Sequence, residues 1–166
     1  MLWLTGLSGS GKSTFADALA PALEKQGLPV ERLDGDLVRA LFPQTGFTRE
    51  ERNLHVGRMG FLASRLERHG VTVVASFISP YREGREAVRR LCRRFVLVHV
   101  ATPLQVCEQR DVKGLYARAR RGEITHFTGV DDPYEEPADP QIRIDTADTS
   151  VEEAVERVLA YLGTLT

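Results

Sequence analysis

The chain has 166 residues, of which 42% are hydrophobic and 27% are charged, and its formal net charge is −1. These values predict one globular domain over residues 1–166, and they argue against a general nucleic-acid or membrane-surface binder, which carries a large basic excess. No apolar stretch approaches the length of a membrane span, so we expect a cytoplasmic protein without a nucleic-acid or membrane partner. Cys92 and Cys107 lack metal-ligand spacing and are expected to be core or helix residues rather than a disulfide.

The chain opens with an apolar strand at 2–5, a glycine-rich loop and a helical pattern at 13–26. The glycines let backbone N–H groups converge on phosphate oxygens, and the helix N-terminus adds to the same positive field. We predict a nucleoside triphosphate site in which Lys12 reaches the β- and γ-phosphates and Ser13 binds Mg²⁺. The loop matches G-x-x-x-x-G-K-S/T in full and comprises Gly6, Leu7, Ser8, Gly9, Ser10, Gly11, Lys12 and Ser13, followed by Thr14.

Apolar runs and helical patterns alternate along the rest of the chain. Strands alternating with helices indicate an α/β fold, in which a five-stranded parallel sheet is covered by helices on both faces. Ligands in such sheets bind at the carboxyl ends of the strands. The further strands are predicted at 29–33, 71–76, 95–100 and 140–144, and the further helices near 49–69, 82–93, 103–109 and 151–163.

Two of these strand ends carry polar groups suited to chemistry. Asp34 and Asp36 follow strand 29–33, and such carboxylates hold Mg²⁺ or accept a proton from an attacking hydroxyl. The alternative is a turn with a helix N-cap, which Asp and Gly also favour. Ser79 follows strand 71–76 and precedes a proline, either to meet a substrate or as part of an ordinary loop.

Residues 110–135 form a glycine-punctuated basic segment with few expected core positions. In a phosphoryl transferase, a cluster of arginines beside a phosphate loop is typical of a lid that closes over the triphosphate and excludes water. A solvated helix and loop is the alternative. Lys113 is one of only three lysines among 22 basic residues, so its retention indicates a compact point charge.

The chain resembles the adenylyl-sulfate kinase (APS kinase) family over nearly its whole length. The resemblance implies a P-loop NTPase-type three-layer α/β/α fold with a mobile basic lid at about 110–135. It implies transfer of the γ-phosphate of ATP, with Mg²⁺, to the 3′-hydroxyl of adenosine 5′-phosphosulfate (APS), giving 3′-phosphoadenosine 5′-phosphosulfate in sulfate assimilation, and a homodimer is the family expectation. The matching stretches are LWLTGLSGSGKST at 2–14, LDGD-VR at 33–39 with position 37 excepted, GFTREER at 46–52, SFISPYR at 76–82 and PLQVCEQRDVKGLYARARRGEITHFTGVDDPYEEP at 103–137.

The resemblance also implies roles for single residues. Asp36 matches the proton acceptor near the accepting hydroxyl, and Ser79 matches a serine described in some members as a phosphoserine intermediate; with Lys12 they form the expected catalytic set. Arg110 is expected on the ATP purine, and Ser13 with Asp34 on the metal. The implied acceptor-binding residues are Asp34 and Asp36, Arg39 and Arg52 on the phosphosulfate, Phe47 and Phe127 on either side of the adenine, and His55, Ile78, Ser79, Lys113, Leu115 and His126.

Four positions depart from the family pattern. Leu37 and Phe42 stand where the family has Asn, and Leu54 stands where it has Glu. His55 replaces another Asn, which keeps a hydrogen-bonding group but alters its reach and allows protonation. The alternative function is therefore a kinase of the same scaffold that acts on a different nucleotide-like or small-molecule alcohol.

Overall fold

The computed structural model describes residues 1–42 and 45–165. Each predicted strand and helix is present, with its ends displaced by at most two residues. The strands are Leu2–Thr5 (β1), Val30–Asp34 (β2), Thr72–Ser76 (β3), Val96–Val100 (β4) and Ile142–Ile144 (β5). The helices are Lys12–Glu24 (α1), Gly35–Leu41 (α2), Arg49–Arg68 (α3), Arg82–Leu91 (α4), Leu104–Arg110 (α5), Leu115–Arg120 (α6) and Val151–Gly163 (α7).

The strands form one five-stranded parallel sheet, as expected, and their order is β2-β3-β1-β4-β5. Side chains alternate across the sheet. Leu4 belongs to a core shared with α1 and α7, whereas its neighbour Trp3 belongs to a second core shared with α3 and α4. The sheet is thus covered on both faces, which confirms the three-layer α/β/α arrangement. No helix of the described residues is long and apolar enough to cross a membrane.

Helix α2 was not predicted, because the Asp-Gly-Asp stretch was interpreted chiefly as a pair of functional carboxylates. The Asp34 side chain accepts hydrogen bonds from the backbone N–H groups of Asp36 and Leu37 and so caps α2. The helix-cap alternative is therefore correct for Asp34. One side chain both begins the helix and lies at the carboxyl end of β2.

Helix α6 contradicts the expectation that residues 110–135 hold few core positions. Tyr116 and Ala119 are buried with Cys107 and Phe127 in a third core. The Tyr116 ring lies edge-on to Phe127, with 5.0 Å between ring centroids, and its hydroxyl donates to the Ser8 carbonyl at 2.9 Å. The spacing of Tyr116 and Ala119 by three residues marks this buried helix face, but the surrounding arginines obscured it. This segment is anchored to the phosphate loop.

Three arginines in and directly after α6 form ion pairs with glutamates. Arg118 and Arg121 are exposed and pair with Glu123, with N···O distances of 3.4 and 2.6 Å. Arg120 pairs with Glu108 at 2.8 Å. These three residues thus pair with glutamates on the outer surface and lie outside the cavity lining, and the lid over residues 110–135 stays a prediction.

Candidate active site

A cavity of about 750 Å³ lies across the carboxyl ends of β1, β2 and β3 and reaches the segment after β5. It brings together most of the predicted site residues from distant parts of the chain. The predicted residues that line it are Ser8, Gly9, Gly11, Lys12, Ser13, Thr14, Asp34, Asp36, Arg39, Phe47, Arg52, His55, Ile78, Ser79, Arg110, Lys113, Leu115 and Phe127. Gly6, Leu7, Ser10 and His126 are predicted site residues that lie outside this lining.

The phosphate loop is fixed by close backbone contacts. A Cβ atom at Gly6 would lie 2.4 Å from the carbonyl oxygen of Val100, so only glycine fits there. Gly11 begins α1 with φ 93°, a left-handed conformation that favours glycine. The buried Ser10 carbonyl accepts hydrogen bonds from the hydroxyls of Thr102 and Thr146, at 3.0 and 2.9 Å. Gly6 and Ser10 therefore support the loop from behind the cavity.

Lys12 folds back over its own loop. Its ammonium donates to the Leu7 carbonyl at 2.7 Å and to the Ser10 hydroxyl at 3.3 Å. Burial lowers its pKa to about 8, and within the described residues no carboxylate forms an ion pair with it. An incoming triphosphate would supply the countercharge that this ammonium lacks.

Asp34 and Ser13 form the site's hard-oxygen pair. The Ser13 hydroxyl donates to Asp34 Oδ2 at 2.8 Å, and the Ser76 hydroxyl donates to the same oxygen at 3.1 Å. Burial by itself would raise the pKa of Asp34, but the hydrogen bonds from Ser13, from two backbone amides and from Ser76 leave it below the ordinary value. The carboxylate is therefore ionised at neutral pH.

This pair fits Mg²⁺ by its chemistry. Magnesium prefers oxygen ligands and usually takes one or two from the protein, with the rest from substrate phosphates and water. Ser13 and Asp34 match the partial coordination that a metal arriving with a nucleotide requires.

Asp36 and Lys113 meet at the rim of the cavity. Their side chains form an ion pair although the residues lie 77 positions apart. Lys113 lies in the turn between α5 and α6, and the Asp111 carboxylate fixes this turn by accepting hydrogen bonds from the backbone N–H groups of Tyr116 and Ala117, each at 3.0 Å. The predicted proton acceptor and the predicted substrate lysine are thus neighbours.

Arg52 ties together two distant segments. Its guanidinium donates to the Phe47 carbonyl at 2.9 Å and to the His126 carbonyl at 2.6 Å. It is 7% exposed, and its nearest carboxylate, that of Asp132, lies 3.7 Å away. His126 thus contributes a backbone carbonyl, held by Arg52, rather than a side chain in the cavity lining.

Phe47 is a half-exposed aromatic ring beside two cations. The Arg39 guanidinium lies 4.3 Å from its ring centroid and that of Arg52 lies 5.3 Å away. Arg39 also donates to the carbonyls of Thr45 and Gly46, at 2.8 and 3.1 Å. The GF-x-x-x-x-R stretch is therefore shaped by its own arginine and by that of α2.

His55 is buried in the wall of the cavity without a polar partner. It is 4% exposed, and neither ring nitrogen makes a hydrogen bond. Its ring packs edge-on against Phe77, with 6.0 Å between centroids. Burial, followed by the charges of Arg39 and Arg58, lowers the pKa of His55 to about 4. It is therefore a neutral ring at physiological pH, with two unsatisfied nitrogens in the wall.

Ser79 is held inside the wall. Its hydroxyl accepts a hydrogen bond from Trp3 Nε1 and donates to Thr5 Oγ1, each at 3.0 Å. The residue is 3% exposed and has φ 38°, a conformation uncommon outside glycine. In this arrangement the hydroxyl is engaged within the protein, whereas the backbone of Ile78 and Ser79 borders the cavity.

Several cavity residues were missed, above all in the segment after β5. Thr146, Thr149, Ser150, Val151 and Ala154 all line the cavity. Arg110 donates to the Thr146 hydroxyl and carbonyl, at 2.8 and 2.9 Å, and joins this segment to α5. The rule that ligands bind at strand ends applies to β5 as well and was the available signal. Thr128, a buried residue whose hydroxyl makes no hydrogen bond, gave no such signal.

A phosphate loop at the end of β1, an ionised carboxylate beside its serine at the end of β2 and a basic, aromatic wall define a P-loop kinase for a small-molecule acceptor. The adenylylsulphate kinase family model matches residues 1–145. An adenylyl-sulfate kinase from Gloeothece citriformis is 53% identical over 165 residues, covering 99% of this chain and 94% of that protein. The chain belongs to the adenylylsulphate kinase family.

Solved structures agree with this membership. The Mycobacterium tuberculosis APS kinase in complex with AMPPNP and APS has a TM-score of 0.93 and 41% identity, covering 98% of this chain and 96% of that one. A hexameric APS kinase from Thiobacillus denitrificans has a TM-score of 0.73 and 36% identity, and the match covers 98% of this chain and 28% of that one. The expected fold and enzyme class are confirmed: this is an ATP- and Mg²⁺-dependent kinase that phosphorylates APS on its 3′-hydroxyl.

Proposed function

We propose that the two substrates occupy different parts of the cavity, with the ATP phosphates on the loop of Lys12 and APS against the wall formed by α2, α3 and residues 77–80. The observation that carries it is that one cavity joins the phosphate loop to the Asp36–Lys113 pair and to Arg39 and Arg52. Cations line both ends, so each of two anionic nucleotides meets positive charge.

The reaction is an in-line transfer. The acceptor 3′-oxygen forms a bond to the γ-phosphorus while the bond from that phosphorus to the β–γ bridging oxygen breaks, and Asp36 orients the hydroxyl and takes its proton. Lys12 and the loop amides neutralise charge on the transferred group. Ser13 and Asp34 would hold Mg²⁺, which would supply further positive charge to stabilise the transferred phosphoryl group.

The acceptor is positioned by charge and stacking. Lys113 leaves Asp36 for the phosphosulfate when APS binds, which frees the carboxylate for the hydroxyl. Arg39 and Arg52 add charge for the same group, while the rings of Phe47 and Phe127 take the adenine between them. The residues in this half of the site act by positioning the acceptor, and positioning is a main source of catalysis in phosphoryl transfer.

The remaining predicted residues have supporting roles in this proposal. Ile78, Leu115 and His55 border the acceptor, and Arg110 contacts the ATP purine beside Thr146. Ser79 is the largest change from the expected roles: because Trp3 and Thr5 engage its hydroxyl, we assign it a backbone contact rather than a phosphoserine intermediate.

The alternative, a different acceptor, rested on four departures from the family pattern. Leu37, Phe42 and Leu54 are exposed and lie outside the cavity lining, so they do not shape the acceptor site. Of the four positions, His55 alone lines the cavity. The geometry therefore favours APS.

The test is an ADP-release assay with Mg²⁺-ATP and with APS, AMP or a panel of small-molecule alcohols as acceptor. We expect strong turnover with APS and little with the others. Turnover confined to another acceptor would retain the kinase chemistry but overturn the proposed placement of APS on this wall.

We further infer a homodimer in the cytoplasm. Exposed apolar side chains on α2 and α3 support self-association, namely Leu41 on α2 and Leu54, Phe61 and Leu62 on α3. The free thiols of Cys92 and Cys107 suit a reducing compartment. Light scattering should give a dimer for the wild type and a monomer for Phe61→Ser; a monomeric wild type would refute the inference.

A further inference from the structure

Arg85 on α4 is a buried cation with no carboxylate partner. It is 2% exposed, and it forms no ion pair within residues 1–42 and 45–165. Its guanidinium instead donates to two backbone carbonyls, that of Ser79 at 2.7 Å and that of Glu135, and lies 5.9 Å from the Tyr134 ring centroid. Burying a charge is costly unless its hydrogen bonds are made. The guanidinium of Arg85 is therefore held in place by its hydrogen bonds to these two carbonyls.

The first of these carbonyls belongs to a constrained loop. Ser79 has φ 38° and precedes Pro80. A non-glycine residue keeps such a conformation only when its surroundings determine it. Trp3 and Thr5 hold the Ser79 side chain, and Arg85 holds its carbonyl. The loop that borders the acceptor is thus fixed from both sides.

The second carbonyl belongs to the segment after Phe127. Glu135 donates its backbone N–H to the Pro80 carbonyl at 2.8 Å, and its carboxylate accepts from the Arg82 backbone N–H at 2.7 Å. The Tyr134 hydroxyl hydrogen-bonds the Thr5 hydroxyl at 2.9 Å. Residues 77–82 and 132–135 are therefore joined, and among the residues that the structure describes Arg85 is the one side chain that bonds to the backbone of both.

We propose that Arg85 is a positioning residue for the acceptor, which joins the Ile78–Ser79 wall to the segment carrying Phe127 by holding the carbonyls of Ser79 and Glu135. The inference rests on the proposed placement of APS on this wall. Within residues 1–42 and 45–165, the hydrogen bonds of Arg85 go to Ser79 and Glu135 and none goes to the phosphate loop, so we expect its influence to fall on the acceptor half of the site.

The kinetic test compares Arg85→Gln with a matched control, Arg89→Gln. Arg89 lies one turn further along α4, pairs with Glu86 at 3.7 Å and lies 4.9 Å from the Phe95 ring centroid, away from the 77–80 loop. Arg85→Gln should raise the KM for APS by about 30-fold, the loss expected for one charged hydrogen bond, because the shorter amide can still donate to one of the two carbonyls, and it should leave the KM for ATP unchanged. Arg85→Lys keeps the positive charge but lacks the two planar donors of the guanidinium. Its KM for APS should therefore lie between that of Arg85→Gln and that of wild type. Arg89→Gln should leave both KM values unchanged.

Trp3 gives a second readout that needs no substrate. It is the chain's one tryptophan, donates to the Ser79 hydroxyl at 3.0 Å and stacks on Phe77 with 5.1 Å between ring centroids. Arg85→Gln should therefore shift the emission of the folded protein and increase its quenching by acrylamide. Arg89→Gln should not.

Chemical rescue distinguishes the loss of the Arg85 guanidinium from a general loss of folding in the variant. Arg85 also lines a cleft of about 270 Å³ with Arg82, Glu86, Arg89 and Leu97, through which a small cation can enter. Millimolar guanidinium added to Arg85→Ala should lower the KM for APS towards the wild-type value, whereas sodium should not.

Each outcome has one meaning. An unchanged Trp3 emission, with APS and ATP parameters altered equally or not at all, would overturn the assignment of Arg85. A wild type without APS turnover would refute the proposed acceptor and with it the acceptor role of Arg85, while the Trp3 signal would still show whether Arg85 holds the loop.

Discussion

The two halves of the cavity are built by different means. The phosphate loop is a continuous stretch of eight residues whose shape comes from glycine conformations and from backbone contacts with neighbouring strand ends. The acceptor wall is assembled from separate segments by charged side chains. Arg52 reaches a carbonyl 74 residues away, and Lys113 reaches a carboxylate 77 residues away.

This difference determines how each half responds to substitution. In the phosphate loop, a functional side chain can be removed while the backbone that holds the phosphates keeps its shape. In the acceptor wall, the same arginines carry charge and hold the backbone, so their removal changes both. Substitutions in the wall should therefore act on the acceptor with little effect on ATP.

The largest effect is expected for Lys12→Ala. It removes the ammonium that faces the transferred phosphate, and kcat should fall on the order of 10³-fold while the protein stays folded. Lys25→Ala, which changes an exposed lysine just after α1, is the control for ADP release. A residual kcat above about a tenth of wild type would contradict the role of Lys12.

Asp36→Asn should follow. Without a proton acceptor at the 3′-hydroxyl, kcat should fall by about 10²-fold, and the KM for ATP should not change. Asp139→Asn, at an exposed site, is the control. If kcat is unaffected in single-turnover measurements, Asp36 does not accept the proton.

Arg52→Ala should separate the two halves most clearly. The loss of its charge and of its hydrogen bonds to the Phe47 and His126 carbonyls should raise the KM for APS by about 30- to 100-fold, with a smaller change in kcat and none in the KM for ATP. Arg65→Ala alters an exposed position on the same helix and should match wild type. Equal effects on the KM values of both substrates would refute the division.

His55→Asn should have the smallest effect on turnover and a measurable one on stability. Because the pKa of His55 is about 4 when folded, against an ordinary value of 6.5, the unfolded chain binds a proton that the folded chain does not between these pH values. The wild-type free energy of unfolding should thus fall as pH decreases from 7 to 5, by about 2 kcal/mol for this residue.

Urea unfolding of wild type and His55→Asn at both pH values measures this difference. The variant should lose about 2 kcal/mol less than wild type between pH 7 and pH 5. His99, whose pKa is likewise lowered to about 4 by burial, is present in both proteins and cancels in the comparison. Identical pH dependence would show that His55 is not buried as a neutral ring.

The same contrast explains what could be predicted from sequence. The strands, their burial on both faces of a parallel sheet and the phosphate loop follow from local patterns, and each is confirmed. Asp36, Ser79 and Lys113 could be singled out from the sequence, but Arg39, Arg52 and Phe47 came only from family resemblance, because nothing local to Arg52 shows that it meets His126. Arg85 and Trp3 were missed for the same reason, since their partners at 79 and 135 are set by the fold.

The segment predicted as a lid shows how charge can mislead about the direction of side chains. Its arginines suggested a basic surface facing the phosphates, whereas Tyr116 and Ala119 define a buried face and turn Arg118 and Arg120 outward. Charge was visible in the sequence, but its direction depended on which face of a short helix the core required.

The most direct test is a crystal structure of this chain with AMPPNP and APS bound together. The account predicts the AMPPNP phosphates on the loop of Lys12, the APS adenine between Phe47 and Phe127, the 3′-hydroxyl beside Asp36, and Lys113 moved from Asp36 to the phosphosulfate. APS bound away from this wall, or Lys113 still paired with Asp36 beside a bound acceptor, would contradict it.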